Sequence, residues 1–115
     1  MVKEHRAEED SFSPSASGIG DNLALHVLHS LDQPLYILDG EDRFVFANTA
    51  YAALYGATPG SLRGRAYGDV VGEAFYTRRM QTLLHRARKD GVSEFKGWME
   101  YPGGDRRFME TQFRK

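Results

Sequence analysis

ILDGEDRFVFANTAYAALYGATPGSLRG, residues 37–64, packs two apolar runs, a polar turn, a helix start and two spaced glycines into one continuous stretch. Leu35 to Leu38 and Arg43 to Ala47 have the short β-branched and aromatic character of strands, and Asp39 to Asp42 between them has turn chemistry, so the pair reads as a hairpin. Asn48 is a residue type that caps a helix by accepting from an orphan amide. The helix it opens carries Ala50, Tyr51, Leu54 and Tyr55. Gly56 ends that helix as a residue free to adopt positive φ.

Upstream, Asp21 can cap a short amphipathic helix running to about Ser30, with Ala24, Val27, Leu28 and Leu31 at i, i+3, i+4, i+7 spacing. Gln33 and Pro34 break it. Residues 1–20 are mostly charged or small, too poor in apolar anchors to offset chain ordering, and are expected to be a disordered leader at a natural N-terminus. Downstream, Pro59, Gly60, Gly64, Gly68 and Gly72 leave room only for short helical turns. From Phe75 to Lys89 the apolar residues Tyr76, Met80, Leu83, Leu84 and Ala87 form one stripe, which predicts the longest helix. Gly91 stops it. Val92 to Tyr101 then alternates as a strand with Phe95, Gly97, Met99 and Tyr101 on one face and Trp98 on the other. After a turn at Pro102 and Gly103, the last strand places Met109, Thr111 and Phe113 on one face and Phe108 opposite.

The chain of 115 residues, 41% hydrophobic and 27% charged, has the size of a single small domain. Its 15 basic and 16 acidic residues leave a net charge of −1, so no global field draws it to nucleic acid or anionic lipid. The lack of cysteine excludes disulfides, thiolate metal sites and any chromophore held through sulfur. No apolar run is long enough for a membrane span, and the N-terminus lacks a secretory pattern, so a cytoplasmic protein is expected.

The order of strand pair, short helices, longer helix and closing hairpin resembles the PAS family. The spacing of Asn48, Ala50, Gly56 and Gly64 is similar to the family's asparagine–small–glycine–glycine pattern, and YPGGDRRFMET resembles its closing hairpin. The resemblance covers residues 23–115. It implies an α+β, profilin-like PAS fold over 21–115: an antiparallel sheet with the helices packed on one face, preceded by the amphipathic helix. Ala57 departs from the aromatic often found there, which would enlarge or shift the pocket mouth. The family's fifth strand, central in its sheet, would follow the last strand here. The chain is therefore expected to be cut before it, with the gap filled by another segment or copy or left as open edges.

By this resemblance the domain is a sensory or regulatory module at the front of a bacterial-type signalling protein, controlling a linked output domain in signal transduction or transcription. It is expected to bind a small, mostly apolar ligand, to homodimerise, or both; the alternative is a ligand-free dimerisation or docking module. A ligand pocket would be lined by Leu35, Ile37, Phe46, Tyr51, Leu54, Tyr55, Met80, Leu84, Phe95, Met99, Thr111 and Phe113, with Tyr51, Tyr55 and Thr111 as its hydrogen-bonding groups. In related domains the N-terminal helix covers the outer sheet face and helps build a dimer, a role that Val27, Leu28 and Leu31 fit; with Trp98 and Phe108, the apolar patch on that face, they make the expected dimer interface.

Other chemistry fares worse. His85 sits opposite the apolar stripe of the long helix, as a surface histidine rather than a haem ligand. Met80 stands where a haem ligand would be but suits core filling. His26 and His29 lack a third metal ligand at matching spacing. GGDRR at 103–107 superficially resembles a cyclase motif but belongs to the turn, with Arg106 and Arg107 solvent-facing or paired with Glu100. A pocket enzyme would require a buried Asp or His, for which Asp69 is the one remote candidate. No catalytic residue, metal, cofactor or direct nucleic-acid contact is expected.

Overall fold

The computed structural model describes residues 18–115, with side chains from Leu23 onward. The expected leader lies, as far as residue 17, outside the described residues. Gly18 to Asp21 already belong to helix α1 (Gly18–Ser30), so Asp21 is inside the helix rather than its cap. Along α1, Ala24 is buried while Val27 and Leu28 are half-buried, and the helix packs against α2 (Thr49–Leu54).

The first hairpin pairs β1 (Tyr36–Leu38) with β2 (Phe44–Ala47) in antiparallel register, Tyr36 opposite Ala47 and Ile37 opposite Phe46. The register then slips between Ile37 and Leu38, which leaves Val45 as the extra residue of a bulge. Tyr36, Leu38, Phe44 and Ala47 are consequently the buried set. Ile37 and Phe46, a directly opposed pair, share the other face, where His29 of α1 lies 5.1 Å from the Phe46 ring. Their expected place in the interior is thus corrected. A slip of one position in a strand exchanges its two faces, and Tyr36 rather than Ile37 takes the inner one.

Short helices α3 (Pro59–Leu62) and α4 (Tyr67–Val71) follow. Thr58 and Ser61 close α3 with a reciprocal capping box, and Pro59 at its first turn needs no amide partner. The segment between these helices seals the outer edge of β2: the Phe44 amide donates to Arg65 O at 2.9 Å, and the Gly64 amide donates to Phe44 O at 2.8 Å. That return is possible because Gly64 adopts φ 82.

The long helix starts earlier than expected and is not uniform. A continuous helical run comprises α5 (Glu73–Phe75), a π-helical turn (Tyr76–Met80) and α6 (Gln81–Asp90). Gly91, in the left-handed region at φ 97, ends it. The second hairpin, β3 (Val92–Tyr101) with β4 (Asp105–Arg114), is in register throughout, from Val92 opposite Arg114 to Tyr101 opposite Asp105. Its inner face carries Phe95, Met99, Tyr101, Thr111 and Phe113, as the alternation predicts. α6 packs on this hairpin, and Ser93 Oγ donates to Leu83 O at 2.5 Å.

Instead of one antiparallel sheet, the strands form separate sheets of two, β1–β2 and β3–β4. Among the described residues no ladder joins the hairpins. A shared apolar cluster holds them together, to which Tyr36, Leu38 and Phe44 contribute from the first and Phe95, Met99, Tyr101 and Phe113 from the second.

Candidate functional site

Asn48 fixes the first hairpin, α1 and α2 relative to one another. Its side chain is fully buried and uses its whole hydrogen-bonding capacity. Oδ1 accepts from the Tyr51 amide at 2.9 Å, which caps α2, and from the Leu35 amide at 3.0 Å. Nδ2 donates to Leu28 O at 3.1 Å and to Gln33 O at 2.8 Å. Only an amide offers two donors and two acceptors at one short side chain. Leu35, expected in the pocket, is buried next to this network but outside the main cluster.

Asp42 is a second anchor, one that the sequence reading missed. It is buried in the β1–β2 turn with φ 58, a backbone conformation that aspartate tolerates better than most residues. Tyr76 in the π turn donates its phenol to Asp42 Oδ2 at 2.5 Å, and Arg88 Nη2 donates to Asp42 Oδ1 and, at 2.8 Å, to Asp39 O. One carboxylate thus ties the turn to both ends of the long helical run. Burial, together with the Asp42 carboxylate that accepts its proton, pushes the Tyr76 phenol up to about 12. Asp69, in contrast, is exposed in the first turn of α4.

The expected pocket residues divide three ways. Tyr51, Met80, Leu84, Phe95, Met99 and Phe113 converge in the core, with Leu54 and Tyr55 half-buried against them. Ile37 and Phe46 lie on the other face, as above. Thr111 is 1% exposed, and its Oγ1 has no hydrogen-bond partner. The space between these residues is occupied by tyrosine rings that the sequence reading left out of the pocket. Tyr36 and Tyr67 are fully buried, stack at 5.3 Å, and are joined by a phenol–phenol hydrogen bond of 2.9 Å. Tyr36 also lies 4.5 Å from Tyr51. The signal that could have found Tyr36 is its position opposite Ala47, one step from the strand parity assumed.

An open cleft of about 920 Å³ lies beside this core, between the Asp32–Pro34 segment, α2 and the first half of β4. Of the expected pocket residues, Leu54 reaches it, alongside Ala53, Met109 and Phe108.

On the outer face of the second hairpin, Trp98 and Phe108 are directly opposed and each 58% exposed. Their rings meet edge to face at 5.6 Å, and the Arg106 guanidinium lies 5.1 Å over the indole. Arg106 Nε is also 3.9 Å from Glu100, while Arg107 pairs with Asp105 at 2.9 Å. The expectation that α1 covers this face is corrected: α1 is seated on the first hairpin and α2, because Asn48 and Phe46 hold it there. His85 and His26 are exposed, and Met80 is fully buried core. No helix among the described residues is long and apolar enough to cross a membrane.

Paired antiparallel strands, cupped on one face by short helices and one longer helical run, define an α+β domain of the profilin-like class. A family model described as PAS fold matches residues 28–115, most of the chain, and the protein belongs to the PAS family. It is therefore a module of the sensory and regulatory kind that this family supplies to signal transduction. No curated protein and no solved structure matched the chain.

Proposed function

We propose that this domain regulates a linked output domain by docking: it homodimerises through the outer face of the β3–β4 hairpin, and changes in the helices behind that hairpin alter the dimer. The reading is carried by the Trp98–Phe108 pair. Two large aromatic side chains, mutually packed and each 58% exposed, form an apolar surface whose burial stabilises association by about 25 cal/mol per Å² before ordering costs. Arg106 and Glu100 at its margin supply a polar rim. The domain carries no catalytic role in this reading.

The test is light scattering of the wild type and Trp98→Glu. A dimer that becomes monomeric on substitution supports the reading, and an unchanged mass removes this face from the interface.

A second reading, binding of a small and mostly apolar ligand, is favoured by one observation. Thr111 Oγ1 is buried without a partner, and an orphaned buried hydroxyl is what a ligand polar atom satisfies. Native mass spectrometry followed by denaturing extraction tests it: a stoichiometric excess mass supports a ligand sensor, and a bare chain favours docking alone.

A further inference from the structure

All six tyrosines of the chain form one continuous series of ring contacts. It runs from Tyr101 at the end of β3 to Tyr55 at 5.2 Å, Tyr51 at 5.3 Å, Tyr36 at 4.5 Å, Tyr67 at 5.3 Å and Tyr76 at 6.1 Å. Core packing alone does not require every tyrosine to join a single file, since Phe75, Phe95 and Phe113 fill other parts of the interior. The two ends of the series also differ. Tyr101 lies on the strand that carries the exposed Trp98, roughly 10 Å along it at the usual rise per residue. Tyr76 donates its phenolic proton to the Asp42 carboxylate at 2.5 Å.

We propose that this series is a one-electron conduit: an oxidation made at Trp98 by a diffusible one-electron oxidant passes through the core tyrosines and comes to rest on Tyr76, with Asp42 as the proton acceptor. Electron exchange between aromatic rings weakens steeply with separation; from Tyr101 to Tyr76 each step is a ring contact, and the entry step from Trp98, on the opposite face of β3, is the longest. A phenol that loses an electron becomes a strong acid, so the oxidation settles where a base already holds the proton. The balance is complete. The oxidant takes one electron from the indole, which releases its N–H proton to water. Tyr76 then returns an electron through the series to the indole, which takes back a proton from water, while the phenolic proton moves to Asp42 Oδ2. The products are reduced oxidant, restored Trp98, neutral Tyr76 radical and protonated Asp42.

The consequence for the domain is local and specific. With Asp42 neutral, its ion pair with Arg88 is lost, and Tyr76 has no proton left to donate. Both ties between the first hairpin and the long helical run change together. This gives the domain an input that senses radical oxidants and depends on neither the docking reading nor a bound ligand.

Pulse radiolysis with azidyl radical, which removes one electron from exposed indoles, tests the proposal on the whole chain. Expected in the wild type is a concentration-independent decay of the indole radical, matched by growth of a tyrosyl radical. Freeze-quenched samples should give an electron paramagnetic resonance signal that Tyr76→Phe abolishes or replaces with a different hyperfine pattern. Tyr36→Phe removes one hydroxyl from the middle of the series and should eliminate the first-order phase; Tyr55→Phe, at a half-buried position, interrupts the same series should Tyr36→Phe not fold. An indole radical that decays only bimolecularly, equally in wild type and these variants, overturns the conduit. A tyrosyl spectrum unchanged by Tyr76→Phe overturns Tyr76 as its end.

Discussion

Asn48 and Tyr76 show how much of this fold hangs on single polar groups. Asn48→Ala would remove an N-cap and strand the Leu35 amide and the Gln33 and Leu28 carbonyls, so the expected loss is about 2–4 kcal/mol. In a domain of this size that lowers the melting temperature by roughly 4–8 °C per kcal/mol, measured by circular dichroism. Tyr76 makes a pH prediction whose sign is fixed by its environment. Its phenol is pushed up to about 12 in the folded state from the ordinary tyrosine value of 10.0. The native state therefore holds the proton more tightly than the unfolded chain, and the stabilisation is complete below pH 10 and lost between pH 10 and 12. The difference in stability between wild type and Tyr76→Phe should shrink across that window in urea titrations; a difference that stays constant contradicts the assigned bond to Asp42.

Among the elements, the first hairpin is the most dependent on neighbours. Its strands are three and four residues long, marginal on their own, whereas β3 and β4 pair over ten residues each. Asp42 compensates by latching the turn to Tyr76 and Arg88. Asp42→Asn keeps a residue that tolerates positive φ but removes the charge. Because the Arg88 side chain is 28% exposed, the pair is worth less than a fully buried one, and a cost of about 1–2 kcal/mol is expected. Hydrogen exchange should show the loss as faster exchange at the Asp42, Phe44 and Tyr67 amides, with β3–β4 unaffected.

These same elements show what sequence could and could not reveal. Caps, turns and the glycines at positions 56 and 64 depend on local backbone chemistry, and both hairpins and the family spacing were legible from them. The inner face of β3–β4 was legible too, because ten residues of unbroken alternation leave one solution. In the first hairpin the bulge at Val45 breaks alternation, and strands so short give no majority to decide the face; hence the misplacement of Ile37 and Phe46. The Asp42 latch joins residues 34 and 46 positions apart, and no local pattern reports on such a contact. The π turn likewise leaves no mark on the apolar stripe that predicts one uniform helix.

For the molecule as a whole, the aromatic residues are sorted by type as well as by depth. The single tryptophan lies on the outer face of the second hairpin, and the tyrosines line up within or against the core. The protein therefore carries separate built-in fluorophores for its surface and its interior. Indole emission, excited at its red edge, should be that of a water-exposed ring in dilute solution and shift to the blue as a second copy covers Trp98, while the tyrosine signal stays constant until the fold itself is lost. Association and unfolding can thus be followed in one cuvette without a label.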